Sequence, residues 1–270
     1  MDETVKTKEN AMKIILFVND SFFSYLLARP LIDKYHADIA LVVLSTRVQS
    51  SLSQVVKIFR KSSLEYFCYR SAIQAFSMLN GFMKRKTVDS LSRRYGITRI
   101  RSQRLKKNIE NISEAGPFDI GFAFNFDQII GSEIFGLCEN GIINIHASKL
   151  PNDKGISPVL WAFARGDEEI WSSIYKMDEG IDTGPIAEQI RIPVDKDSTA
   201  FSLYKKVCIE SGKRLVHVLE KIKKGECTYR QQVNTGGETY WSWPDDYHAK
   251  LLKRSNRRLI SISDALTILK

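Results

Sequence analysis

Cysteine is scarce in this 270-residue chain: Cys68, Cys138, Cys208 and Cys227 are scattered, with no C-x-x-C spacing among them. That excludes the usual zinc-ribbon and dithiol signatures, leaves no metal site to expect, and makes a reducing, cytoplasmic setting the simplest expectation. No uninterrupted run of about 18 apolar residues occurs, so no helical membrane span is expected. The opening "MDETVKTKENAMK" mixes acids with bases and leads into no apolar core of a secretory signal, so residues 1–12 read as a short disordered leader. Internal repeats and low-complexity tracts are also lacking. Acidic residues are missing from one stretch in particular. From Arg47 to Lys107, fifteen Lys or Arg stand against Glu65 and Asp89, a local net of +13 within a chain whose total is +9.

What is present, 43% hydrophobic and 26% charged residues, is the make-up of a folded chain able to bury a sizeable core. "KIILFVN" (13–19) and "ADIALVVL" (37–44) are β-branched apolar runs on either side of "DSFFSYLLARPLIDKYH", which has helical spacing and an N-cap in Ser21 or Asp20. "FDIGFAFNF" (118–126) and "GIINIHA" (141–147) are two more strands of the buried type, with a short helix in "GSEIFGLCEN" between them. Apolar strands alternating with helices imply parallel pairing through βαβ crossovers, hence an α/β, Rossmann-like, mostly parallel sheet flanked by helices. The basic stretch 47–107 reads as an insertion of amphipathic helices. Beyond 151 the strands shorten and alternate ("SSIYKM", "PIAEQIRI"), followed by a helix from about Ser198 to Lys224. Residues 225–270 form a C-terminal appendage without comparable periodicity, apart from a last helix near 263–269.

Two polar residues interrupt the "GIINIHASKLP" strand. Alternate side chains share a face, so Asn144 and His146 project together near its carboxyl end, where open α/β sheets bind ligands. Taken alone, the pair has two readings: it satisfies itself and nearby backbone, or it faces a ligand. Downstream, "YKMDEGIDTGPIAEQ" sets Asp182 in a Gly-bounded loop, which alone is ordinary turn chemistry.

The combination is more specific. N-x-H-x-S-x-L-P, then G-x-x-P at Gly155 to Pro158, then Trp161, then D-x-G-x-D-T-G-x-I at 178–186 form an ordered series. It resembles the 10-formyltetrahydrofolate-dependent formyltransferase family, which includes glycinamide ribonucleotide transformylase, methionyl-tRNA formyltransferase and the sugar-nucleotide N-formyltransferases. The resemblance is strong over about 115–215 and holds only in pattern over 13–45. It implies the formyltransferase fold over 13–224, 10-formyltetrahydrofolate as formyl donor, and Asn144, His146 and Asp182 as the catalytic trio. Formyl transfer to an amine develops an oxyanion that Asn144 would stabilise. His146 would move the proton between attacking and leaving nitrogens, with Asp182 orienting it. Ser148 is expected to brace the loop, and no metal is required. The walls of the folate pocket implied by the resemblance are Phe126, Asp127, Gln128, Ile129 and Ile130, with Asp178, Glu179, Gly180 and Ile181.

Two departures from the family pattern bear on the substrate. Gly131 stands where many relatives have proline, and the first-strand segment "FVNDSFFS" has no glycine with which to cradle a ribonucleotide phosphate. The expected acceptor is therefore a small-molecule amine, an amino sugar nucleotide or another glycan precursor. A methionyl-tRNA formyltransferase, a 10-formyltetrahydrofolate hydrolase and a non-catalytic anionic-surface module are the alternatives. The segment after the 198–224 helix reads as too short for a full tRNA-binding domain. Its Tyr240, Trp241 and Trp243 either stack on an acceptor or pin the tail to the catalytic domain. The basic stretch, with Phe59, Tyr66, Phe67, Tyr69, Phe76 and Phe82 among its cations, is either a solvated face or a peripheral contact for an anionic membrane.

Overall fold

The strand β1 (Ile14–Asn19) is an unbroken apolar run, and residues 14–18 are fully buried because both faces of the sheet that they join are covered. The computed structural model describes residues 11–46, 56, 59–60, 62–82, 86–233 and 239–269. Within them, β1, β2 (Ile39–Ser45), β3 (Arg99–Ser102), β4 (Ile120–Phe124) and β5 (Ile142–His146) pair in parallel. Strands β7 (Glu169–Lys176) and β8 (Ile186–Pro193) extend the sheet antiparallel, in the order β3-β2-β1-β4-β5-β7-β8. A separate two-residue strand, β6 (Lys154–Gly155), pairs with β9 (Tyr240–Trp241).

Helices cover both faces. On one lie α1 (Phe22–Tyr35), α2 (Leu64–Phe82), α3 (Val88–Arg94), α6 (Pro158–Arg165) and α7 (Ala200–Lys223), packed on a core that includes Leu16, Val18, Leu31, Phe122 and Phe201. On the other, α4 (Ile109–Ala115) and α5 (Ser132–Phe135) cover Ile15, Phe17, Val43 and Ile142. Two helices, α8 (Asp246–Arg254) and α9 (Ile262–Leu269), complete the chain. Ser21 is the N-cap of α1, accepting from Ser24 N at 3.2 Å. Where α1 and α7 cross, Gly212 carries the close approach, for a Cβ there would lie 2.5 Å from Leu27 O.

Several expectations need correction. The stretch 47–107 is not helical throughout: Arg99–Ser102 is an edge strand in register with Val42–Ser45. Its alternation of cations, R-I-R-S, hides the strand because an edge needs no apolar run. Arg93, Arg99 and Arg101 meet at Asp89, at 3.0 to 3.1 Å. Burial opposes that carboxylate's charge, yet the arginines hold its pKa below the usual range. Tyr66 and Tyr69 are buried in the core, so these two rings cannot serve a membrane interface. Residues 47–55 and the side chains of Phe76 and Phe82 lie outside the described residues, as do residues 1–10 of the expected leader, while Met12 packs against the core. The tail has more structure than its sequence shows, namely β9 and α8, whose N-cap Asp245 accepts from Tyr247 N and His248 N. Among the described residues, no helix is long and apolar enough to cross a membrane.

Candidate active site

Antiparallel pairing of β5 with β7 sets Asn144 opposite Tyr175 and His146 opposite Ser173 at the carboxyl edge of the parallel strands. Asn144 accepts from Ile145 N through Oδ1 at 2.8 Å and donates through Nδ2 to Tyr175 Oη at 2.8 Å. Tyr175 Oη in turn donates to Asp182 Oδ1 at 2.8 Å. Burial, then the negative charge of Asp182, pushes the Tyr175 pKa far above its ordinary range, so it stays a hydroxyl and a donor.

Asp182 faces His146 with its second oxygen, Oδ2 lying 3.5 Å from Nδ1. That oxygen also accepts from Gly155 N at 3.2 Å; Gly155 has φ +95 and a Cβ there would run into Trp241 O, so the position requires glycine. On its far side His146 Nε2 lies 2.9 Å from Asp153 O. A carbonyl only accepts, so Nε2 donates there, and Nδ1, beside Asp182 Oδ2, is the nitrogen left to exchange a proton. Asp153 is itself fixed. Burial disfavours its charge, but Arg165 at 2.8 and 2.9 Å, with Trp241 Nε1 and Thr239 Oγ1, holds its pKa below the usual range. Ser148 spans its own turn, Oγ donating to Asn152 O at 2.8 Å.

The trio opens on a cavity of about 430 Å³ that continues under α2 and α7. Of the residues expected as folate walls, Phe126, Asp127, Gln128 and Ile130 line it. Gln128 is turned to the neighbouring strand ends, donating to Ser45 Oγ and Ser102 O at 2.8 Å, and Ser45 Oγ donates to Asp127 Oδ1. Ile129 is 90% exposed and Ile181 65% exposed; they and Asp178, Glu179 and Gly180 stand outside the lining. Residues 126–130 follow β4 as an irregular segment in which only Ile129 turns outward. Asp178 works inside its own loop, accepting from Gly180 N at 3.1 Å and Thr183 Oγ1 at 2.6 Å. Met177, with Phe126 and Ile130, instead gives the cavity an apolar wall near Asn144. These apolar surfaces beside an amide with one N–H to spare fit a flat heterocycle bearing a carbonyl oxygen.

Sequence reasoning missed Tyr175, although it lies within the Y-K-M-D-E-G run; only the β5–β7 register reveals it as the link between Asn144 and Asp182. It also missed Tyr66, Arg70, Asn125 and Tyr204, which line the cavity from α2, β4's end and α7. Of the tail's aromatics, Trp241 stacks on Trp161 at 4.4 Å and 15°, pinning the tail, while Trp243 lines the cavity and Tyr240 is exposed.

A family model described as formyl transferase matches residues 12–219. A methionyl-tRNA formyltransferase of Kosmotoga olearia is 36% identical over 141 residues, 52% of this chain and 45% of its own. The match thus spans less than half of that curated relative. Among solved structures, an N-formyltransferase from Helicobacter canadensis in complex with folinic acid and dTDP-3-aminofucose superposes with a TM-score of 0.59 at 18% identity, over 86% of this chain and 71% of that one. The phosphoribosylglycinamide formyltransferase of Anaplasma phagocytophilum does so at 0.55 and 17%, over 86% and 99%. At such identities these two likenesses show the fold.

Proposed function

This chain belongs to the formyl transferase family, and from that premise we propose that it transfers a formyl group from 10-formyltetrahydrofolate to the amine of a small-molecule acceptor, an amino sugar nucleotide or a related glycan precursor. The observation that carries the reading is the convergence of Asn144, His146 and Asp182 on one cavity, tied together through Tyr175.

The donor, held between the Phe126, Ile130 and Met177 surfaces, supplies the activated formyl carbon. Asn144 has its carbonyl and one N–H engaged, leaving the other Nδ2–H for the formyl oxygen as negative charge grows there. His146 takes the amine's proton at Nδ1, since Nε2–H is committed to Asp153 O. The imidazolium so formed faces Asp182 Oδ2, and the same proton is then available to the departing nitrogen. Tyr175 keeps Asp182 and Asn144 in a fixed relation throughout. None of these steps needs a side-chain nucleophile.

A second reading, transfer to methionyl-tRNA, is favoured by the names of the curated relatives. Against it stands the tail, which places Trp243 in the lining of the same cavity. The test supplies 10-formyltetrahydrofolate with a panel of nucleotide-linked amino sugars or with methionyl-tRNA and identifies products by mass spectrometry. The expected product is a formylated amino sugar whose formation needs Asn144 and His146. Formylation of methionyl-tRNA alone would reject the acceptor class, and release of formate alone would make the enzyme a hydrolase.

A further inference from the structure

The sheet reverses its winding between β1 and β4: β1 leads to β2 on one side and β4 joins it on the other. Such a switch point opens a crevice at the carboxyl ends of the two strands, and here each end bears an asparagine. Asn19 closes β1 and Asn125 follows β4, and both line the cavity, on the β1 side of Asn144 and His146.

Asn125 is a costly residue where it stands. Its backbone is left-handed, φ +51, a conformation that non-glycine residues adopt mainly where surroundings impose it. Tyr204 Oη donates to its Oδ1 at 2.6 Å, which fixes the amide plane, while Nδ2 is buried and donates to nothing among the described residues. A buried N–H left without an acceptor costs on the order of a lost hydrogen bond, so this donor is open to an acceptor that no described residue supplies.

Above the crevice runs α2. Its cavity face is spaced by helical turns, Tyr66, Arg70 and Gln74 at i, i+4 and i+8 with Tyr69 and Ile73 beside them. Among the described residues, Arg70 is the one Lys or Arg that lines the cavity, and it makes no ion pair with a described carboxylate. Burial pushes the Tyr69 and Tyr204 hydroxyls up, and the Arg70 charge opposes that rise in both, so its field reaches the same interior. The β1–α1 connection offers no competing anion site: it has no glycine, and Asp20 sits in it, accepting from Asp89 N at 3.1 Å.

We propose that Arg70, Asn125 and Gln74 form an acceptor subsite that binds an oxyanion, a carboxylate or a phosphate, carried by the amine that is formylated. The inference rests on the formyltransferase reading. A guanidinium fork with amide donors matches the geometry of either anion, and Tyr69 and Ile73 flank the exposed Arg70 on the same helix face. The role that a glycine-rich phosphate loop plays elsewhere thus passes to a helix on the opposite lip of the crevice.

Binding is measured without turnover, in the presence of 5-formyltetrahydrofolate, for three related amines: glucosamine, glucosamine 6-phosphate and 2-amino-2-deoxyglucuronate. The wild-type protein is expected to bind at least one charged amine about 10- to 100-fold more tightly than the neutral one, the scale of a charge-assisted hydrogen bond, and the stronger arm tells phosphate from carboxylate. Arg70→Met should abolish that preference and Arg70→Lys restore part of it. Asn125→Gly, which keeps the left-handed backbone at no strain, should weaken it. Equal affinity for all three amines in the wild type, or a preference that survives Arg70→Met, overturns the subsite. Affinity for 5-formyltetrahydrofolate alone is titrated separately. If Arg70→Met lowers it as well, Arg70 grips the glutamate of the folate and the subsite is overturned; if the wild type binds no folate, the formyltransferase reading itself falls.

Discussion

Tyr175 faces Asn144 across the β5–β7 pair and passes its own hydroxyl hydrogen to Asp182, 2.8 Å on either side. One phenol thus sets the angle of the amide and of the carboxylate that orients the imidazole. Replacing it with phenylalanine leaves shape and burial in place but strips one partner from each neighbour. Tyr175→Phe should lower kcat by roughly 10- to 100-fold, the cost of a hydrogen bond to a charged group, with little change in KM for the donor. A rise in KM at unchanged kcat would assign Tyr175 to binding instead.

Asn144→Ala removes the N–H aimed at the developing oxyanion. Turnover is expected to fall by about 100-fold or more, as when one oxyanion donor is lost. Steady-state assays at saturating donor check this, and normal turnover would end the assignment.

His248 lies fully buried between Trp161 and Tyr66, ring centroids at 5.3 and 6.5 Å, and burial lowers its pKa to about 4. The fold holds it neutral whereas the unfolded chain protonates it near pH 6.5. Its contribution is therefore fully present above pH 6.5 and is lost as pH falls toward 4, by up to about 3 kcal/mol over that interval. Urea unfolding at pH 7 and pH 4.5 should show a smaller loss for His248→Leu than for the wild type. Equal losses would show that His248 does not titrate on unfolding.

Gly212→Ala is a test of sign. In an open helix the change stabilises by nearly 1 kcal/mol, but here the methyl would meet Leu27 O at 2.5 Å and push α1 from α7. The expected result is a loss of about 1–3 kcal/mol in denaturant unfolding. A stabilised variant would mean that the two helices part without cost.

The sequence shows its strands best where they are buried on both faces, as at β1, β2, β4 and β5, since such strands must be apolar throughout. Asn144, His146 and Asp182 were legible for the complementary reason: polar residues stand out against that background, at spacings a family shares. Tyr175 escaped because its meaning comes from cross-strand register, which no local pattern encodes. Strand β3 escaped because an edge strand may carry arginines, and α8 because nine residues give a helical period little room to repeat. Arg70 looked like one cation among fifteen until the packing of α2 turned it toward the cavity.

The segment after residue 225 reaches both Asp182 and the anchor of His146. Gln232 Nε2 donates to Asp182 O and Gly184 O at 3.0 and 2.7 Å, and Thr239 and Trp241 hold the aspartate whose carbonyl anchors His146. The proposed chemistry at the sheet would then depend on the docking of a stretch that adds only the Ile186–Arg230 bridge to the seven-stranded sheet. Opening of that stretch would break the β6–β9 pair and let the carboxylate and the imidazole drift apart while the seven-stranded sheet kept its ladders, so that activity would report on this local equilibrium and not on global stability alone.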